Sequence, residues 1–137
     1  MKIPMIAAAA AAISFGALAL AAPATAQDRE ERAEAAFAEL VEGRVAGEPQ
    51  ACINTFNSSR LRVVEHVGLA YREGDTLWVA RASNPQDLGS WDVPIIERHG
   101  SRLCRHDVMR TIDRGSGFFT GNLFLGDFVP YTEVAEG

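Results

Sequence analysis

The sequence has few of the residues on which catalytic and metal sites are commonly built. Its 137 residues include two cysteines and three histidines. It contains no His-x-His or His-Glu-x-x-His pair of the kind that zinc sites use. The glycine-rich loops of nucleotide-binding proteins and the Gly-x-Ser-x-Gly motif of serine hydrolases are also missing. We therefore predict no catalytic residues, no metal and no cofactor.

Lysine is scarce as well. Lys2 is the single lysine, and the formal net charge is −5 at pH 7. The twelve arginines are spread along the chain and form no cluster. An acidic chain without a basic cluster is not expected to bind nucleic acid or an anionic membrane surface.

The one long apolar run stands at the N-terminus. Lys2 precedes an apolar stretch at 3–22, and Ala24-Thr25-Ala26 has the small-x-small pattern that signal peptidase cleaves. We predict a signal peptide at 1–26, with a membrane anchor as the alternative, because Pro23 breaks the run and no basic stop follows. No cysteine stands directly after the cleavage site, so there is no residue to accept a lipid anchor. The processed protein is then periplasmic or secreted, with no stable membrane insertion.

Export changes the interpretation of the two cysteines. In an oxidising compartment, Cys52 and Cys104 are expected to form a disulfide. This bond would close a loop of about 52 residues and contribute about 4 kcal/mol in the chain-entropy model. Two buried thiols are the alternative. A catalytic cysteine is disfavoured, because Cys104 and His106 are only neighbours in sequence, which does not align a nucleophile with a base.

A single helix is predicted over 28–42. Its apolar residues form one stripe, Asp28 is placed to cap the first turn, and Gly43 stands where a helix stop belongs. Because alanine contributes little burial, we expect this helix to dock weakly or fray. Glycine and proline mark 44–50 as a linker. We assign 27–48 to the helix and linker. The stripe consists of Ala33, Ala36, Phe37, Leu40 and Val41.

The rest of the chain, 49–137, has the character of a disulfide-stabilised β-domain. Short apolar runs alternate with turn residues every 8–12 residues or so, which is typical of small antiparallel sheets. Glu73-Gly74-Asp75 is the clearest hairpin turn. The fold class predicted is mainly β: a small antiparallel barrel or sandwich of six to seven strands, preceded by one amphipathic helix. The candidate strands lie within 52–56, 61–72, 76–81, 91–98, 103–112, 118–125 and 128–131, where 68–72 either continues the strand at 61–67 or begins another one.

Two motifs in the second half of the chain are unusual together. They are Leu-Cys-x-x-Asp at 103–107 and Leu-Gly-x-Phe-x-Pro-Tyr at 125–131. With them, roughly 49–131 resembles a small exported proteobacterial family that is classified as a domain of unknown function. Many members carry two further cysteines that this chain lacks, which favours Cys52 and Cys104 as the remaining bonded pair. The resemblance implies architecture and export, and it implies no chemistry.

Polar candidates for a site are few. His99, His106 and Asp107 are candidate ligand-binding residues, since neighbouring strands of a hairpin could bring them together. The favoured interpretation is that these histidines are exposed to water. Glu97 and Asp107 form a second pair across the same hairpin, for which ion pairs with arginine are favoured. We expect Asp107 and Asp127 to accept hydrogen bonds from the backbone.

Aromatic residues offer another signal. Phe118 and Phe119 are adjacent in a predicted strand, so their side chains point to opposite faces and one of them is expected to be exposed. An exposed aromatic side chain is a candidate binding patch.

The leading hypothesis is a non-catalytic binding or structural module of the cell envelope, not an enzyme, whose partner is an unknown protein or envelope component. The first alternative is a metal- or small-ligand-binding protein, a class that includes hydrolases, which would use His99, His106 and Asp107. The second alternative is an inhibitor of a wall-degrading enzyme. An inhibitor needs a rigid, exposed loop, at 83–90 or 113–117, that carries an inserting side chain.

Overall fold

The computed structural model describes residues 22, 23, 25–57, 60–98 and 100–134. Most of the predicted signal peptide, together with His99, lies outside these residues. Within them, one helix precedes ten strands in three antiparallel sheets. The elements are α1 (Ala26–Leu40), β1 (Arg44–Ala46), β2 (Cys52–Asn54), β3 (Leu61–Val64), β4 (Gly68–Glu73), β5 (Thr76–Ala82), β6 (Asp92–Glu97), β7 (Arg102–Cys104), β8 (Val108–Asp113), β9 (Phe119–Asn122) and β10 (Leu125–Glu133).

Helix α1 begins slightly earlier than the sequence predicted. Thr25 is its N-cap, and the Asp28 N–H donates to the Thr25 hydroxyl at 3.2 Å. The Asp28 carboxylate in turn accepts from the Thr25 N–H at 2.9 Å, which completes a capping box. These hydrogen bonds lower the pKa of Asp28. We predicted that Asp28 is the cap of the first turn. The N-cap is instead Thr25, and Asp28 is the third residue of the helix.

The helix packs on one face of the large sheet. The rings of Phe37 and Tyr131 meet edge to face with centroids 6.0 Å apart. The guanidinium of Arg81 lies 4.3 Å from the centre of the Phe37 ring and also pairs with Glu34. Our expectation of a weakly docked helix depended on the small burial that alanine provides, and it did not include the contacts that Phe37 and Glu34 make.

The large sheet has the strand order β1-β10-β5-β4-β3. Its central strands are buried on both faces, and their side chains alternate between two clusters. Leu69 and Ala80 belong to one cluster, while Ala70 and Val79 belong to the other, which also contacts α1. The large sheet is therefore the middle layer of the molecule, with the helix on one side.

Two smaller sheets lie on the other side. They have the orders β2-β7 and β6-β8-β9. Ile53 of β2, Leu103 of β7 and Met109 of β8 share one buried cluster with Leu69 and Phe128 of the large sheet. The mainly β class and the N-terminal helix are confirmed. None of the three sheets in the described residues closes into a barrel, so the barrel alternative was wrong.

The described strands number ten, where the sequence predicted six or seven. Arg44–Ala46, which we had assigned to a linker, pairs with β10. The run at 61–72 is divided by a turn in which His66 adopts a φ of 58°. The run at 103–112 is divided by another turn, and β10 continues through Gly126 with an irregular register between Leu125 and Phe128.

Two other predictions are confirmed. Strands β4 and β5 form a hairpin around Glu73-Gly74-Asp75, where Gly74 has the positive φ of 57° that the tight turn needs. Cys52 and Cys104 form a disulfide between directly opposite positions of β2 and β7. Each of these two strands has only three residues. The covalent bond thus joins the smallest of the three sheets.

Candidate functional site

Asp107, one of the predicted ligand residues, closes the turn between β7 and β8. Its carboxylate accepts a hydrogen bond from the Cys104 N–H at 2.7 Å, and its own N–H donates to the Cys104 carbonyl at 3.0 Å. The expectation that Asp107 bonds to the backbone is confirmed. The side chain holds the chain reversal that follows the disulfide-bonded strand.

His106 lies in the same turn and is exposed. Its Nε2 accepts a hydrogen bond from Nε of Arg105 at 3.2 Å. Arg105 also pairs with Asp127 at 2.7 Å, so the Asp127 side chain binds a guanidinium, which the sequence did not predict. A ring nitrogen that accepts from a guanidinium is occupied, and the adjacent positive charge disfavours a cation. Among the described residues, no group of three histidine, cysteine, aspartate or glutamate side chains is placed to hold a metal ion.

The structure therefore brings His106 and Asp107 into one turn but gives their side chains separate tasks. The third member of the predicted set, His99, lies outside the described residues. The second predicted pair, Glu97 with Asp107, does not form a carboxylate pair: Glu97 binds Arg110 at 2.7 Å. The favoured interpretation for Glu97, an ordinary ion pair with arginine, is confirmed.

A different surface stands out for its apolar character. In the sheet β6-β8-β9, one face carries Ile96, Met109 and Thr111 toward the core. The opposite face, which we call the outer face, is mainly apolar. Pairing aligns Val93 of β6 with Ile112 of β8, and Ile112 with Phe119 of β9, so that three apolar residues form one row across the sheet. The outer face consists of Val93, Ile95, Glu97, Val108, Arg110, Ile112, Phe119 and Asn122.

Much of this apolar surface is open to solvent. Phe119 is 60% exposed and Val108 is 59% exposed. Trp91, which directly precedes β6, is 62% exposed, and its carbonyl accepts from the Arg114 N–H at 2.9 Å. Phe118 is 76% exposed, so both members of the Phe118-Phe119 pair are exposed where the sequence predicted one. Single exposed apolar residues are ordinary, whereas a contiguous group of them indicates a binding surface.

The loop at 113–117 adjoins this surface and is well ordered by hydrogen bonds. The Asp113 carboxylate accepts from the N–H groups of Gly115 at 3.0 Å and Ser116 at 2.7 Å, and from the Ser116 hydroxyl at 2.9 Å. These bonds favour the charged form and lower the pKa of Asp113. The Gly117 N–H donates to the Asp113 carbonyl at 2.8 Å. The loop therefore presents the following Phe118 from a fixed turn.

The loop at 83–90 is built differently. It contains a short 3₁₀ helix, Pro85–Asp87, in which the Asn84 amide donates to the Asp87 carboxylate at 3.0 Å. Leu88 turns inward and is only 7% exposed. This loop contributes an apolar side chain to the core rather than to the surface.

Comparisons of the chain with protein-family models, curated proteins and solved structures gave no match. In the part of the chain that the structure describes, no helix has both the length and the apolar character that a membrane span requires.

Proposed function

We propose that this protein is a non-catalytic binding module of the cell envelope that takes a protein partner on its outer face. The observation that carries the proposal is the apolar row Val93, Ile112 and Phe119, in which Phe119 is exposed and the other two are half-buried, on a sheet whose other face is packed in the core. Residence in the envelope rests on the predicted signal peptide.

The surroundings of the row favour a protein partner. Polar groups lie beside the row on the same face: Arg110 of the central strand, which pairs with Glu97, and the side chain of Asn122 opposite it. Protein interfaces combine apolar and polar groups, and aromatic residues such as the exposed Trp91 are enriched among those that contribute most to binding. The net charge of −5 disfavours attachment to an anionic membrane.

We also propose that the large sheet and the two smaller sheets pack face to face as a sandwich. The support is the shared cluster in which Ile53, Leu103 and Met109 of the small sheets meet Phe128 of the large sheet. In this arrangement the outer face is the exterior of the second layer.

Inhibition of a wall-degrading enzyme is a second candidate function. The Asp113 turn is held by three hydrogen bonds to one carboxylate oxygen and is followed by the exposed Phe118. A fixed turn that presents an aromatic side chain is suited to insertion into a cleft, because little conformational entropy is lost on binding. The loop at 83–90 gives no such support, since Leu88 points inward. The alternative of a ligand site at His99, His106 and Asp107 has less support, because Asp107 serves the turn.

Affinity capture from an envelope extract tests the main proposal. The protein and two serine variants serve as baits: Phe119→Ser on the outer face, and Phe124→Ser as a matched control, since Phe124 is a similarly exposed phenylalanine that lies outside the outer face. We expect an identified protein to be retained by the unchanged bait and by Phe124→Ser, and lost with Phe119→Ser. Retention of the same proteins by all three baits would contradict the use of the outer face.

A further inference from the structure

A groove beside the disulfide combines aromatic and polar side chains in one concave surface. It has a volume of about 420 Å³ and is formed around Cys52 and Ile53. This volume falls in the range of small-ligand sites. The side chains that give the groove its chemistry are Gln50, Asn54, Phe56, Glu73, Trp78 and Arg102.

The polar side chains of this groove are exposed to solvent. Within the described residues, Gln50, Asn54, Glu73 and Arg102 make no side-chain hydrogen bond and no ion pair. Five other arginines donate a side-chain hydrogen bond, as Arg105 does to Asp127. Amide, carboxylate and guanidinium groups are planar and offer two donors or acceptors side by side. Four such groups in one groove provide matching partners for adjacent hydroxyl groups on a ligand.

The backbone that carries these groups is held firmly. The Gln50 N–H donates to the Phe128 carbonyl at 2.8 Å, and the reverse bond has the same length. Asn54 lies directly opposite Arg102, two residues from the Cys52–Cys104 disulfide. The backbone positions of these side chains are therefore fixed, which removes the backbone part of the entropic cost of binding.

The aromatic residues and the charge balance indicate which ligands fit. Trp78 packs partly against the core and also lines the groove, where the exposed Phe56 joins it. Aromatic faces attract the C–H surface of a pyranose ring, while the ring hydroxyls need the planar polar groups. Glu73 and Arg102 carry opposite charges, and no second cation is present among the lining residues to hold a phosphate. We propose that this groove binds a neutral oligosaccharide.

The proposal is independent of the protein interface on the outer face, because the two surfaces share no residue. Two sources of neutral saccharide fit the same chemistry: N-acetylated amino-sugar chains and plain glucans. The trimers tri-N-acetylchitotriose and maltotriose represent these two sources as probes.

Tryptophan fluorescence provides a direct test, since Trp78 and Trp91 are the two tryptophans of the chain. In a Trp91→Phe background, Trp78 is the only reporter, and we expect a saturable change in its emission with at least one trimer. Substituting Asn54→Ala or Arg102→Ala should weaken binding about tenfold, because each removes hydrogen bonds to the ligand. Arg62→Ala is the matched control: it removes an exposed arginine outside the groove and should leave the affinity unchanged.

The outcomes separate cleanly. A response to tri-N-acetylchitotriose alone assigns the groove to amino sugars, and a response to maltotriose alone assigns it to glucans. No saturable change with either trimer up to about 10 mM, in a protein whose circular dichroism shows it folded, would overturn the proposal. Equal affinity in Asn54→Ala, Arg102→Ala and Arg62→Ala would also overturn it.

Discussion

The large sheet and the three-stranded sheet differ at the second face of each, which is the face turned away from their shared core. Both sheets turn one face toward the same core, and both carry apolar residues on the other face. In the large sheet this second face packs against α1, whereas in the three-stranded sheet Ile95, Val108 and Phe119 of this face are exposed. Apolar residues on both faces of a strand therefore do not by themselves show that the strand is buried. In the large sheet the apolar second face packs against α1. In the three-stranded sheet we propose that it binds a partner.

The largest expected effect on stability comes from Gly68, where strands β4 and β5 of the large sheet approach closely. A Cβ atom at Gly68 would lie 2.2 Å from the Ala80 carbonyl oxygen and 2.7 Å from the Ala82 nitrogen, both backbone atoms that cannot move freely. We expect Gly68→Ala to lower the free energy of unfolding by about 3 kcal/mol or more.

Gly121→Ala is the matched substitution in the three-stranded sheet, because a Cβ atom there would meet only the Thr111 hydroxyl at 3.8 Å. It should change stability by less than about 1 kcal/mol. Urea unfolding of both variants measures the difference. Similar losses would mean that the tight approach at Gly68 is not a special feature of the large sheet.

The disulfide gives the next largest effect, since it joins the two short strands of the sheet β2-β7. Replacing Cys52 or Cys104 by serine should each cost about 2–4 kcal/mol, because the unfolded chain gains conformational entropy. The double variant should cost little more than either single one, since both remove the same bond. Thermal unfolding with and without reductant gives the measurement. Fully additive losses would argue against a shared bond.

A pair of phenylalanine substitutions sharpens the contrast between covered and exposed faces. Phe37→Ala removes the ring that contacts Tyr131 and Arg81, and we expect a loss of about 2 kcal/mol. Phe119→Ala removes an exposed ring and should change stability within about 0.5 kcal/mol. Chemical denaturation compares them. A large loss at Phe119 would show that the outer face has a structural role.

The smallest expected effect on stability depends on pH and comes from Asp113, in the turn at 113–117 beside the outer face. The folded protein lowers the pKa of Asp113 below its ordinary value of 3.8, so the ionised carboxylate stabilises the folded state above that value. This contribution is lost as the pH falls through the lowered pKa. Asp113→Ala should therefore melt at a lower temperature than the unchanged protein at neutral pH, and the gap should close in acid. A gap that is constant from pH 7 to well below pH 3.8 would contradict this account.

Local sequence patterns predicted the local parts of the fold. The β4–β5 hairpin follows from two apolar runs around Glu73-Gly74-Asp75, and the helix follows from its apolar stripe. Elements that depend on distant partners were missed. Arg44–Ala46 has no alternating pattern and becomes a strand because β10 pairs with it. The turn at 105–107 contains no glycine or proline, and it forms because Asp107 bonds to Cys104.

The candidate surfaces were harder to predict for the same reason. Phe118 and Phe119 stand side by side in sequence and could be recognised there as candidates. Val93 and Ile112 join them on one face only through the register of β6 and β8. The disulfide could be predicted from export and cysteine number, but not the groove that it adjoins, whose residues are brought together by topology alone. The signal peptide, the location and the family resemblance stay predictions.

Thr25 and Asp28, which form the capping box of α1, lie on opposite sides of the predicted cleavage site after Ala26. If signal peptidase cuts after Ala26, processing removes Thr25, and Asp28 loses the hydroxyl and the N–H that it binds in the unprocessed chain. A new ammonium group at Gln27 would then stand at the positive end of the helix dipole, where it is unfavourable. Maturation would thus loosen the first turn of the helix, while the apolar residues of its second half, Phe37 among them, would still hold it on the sheet.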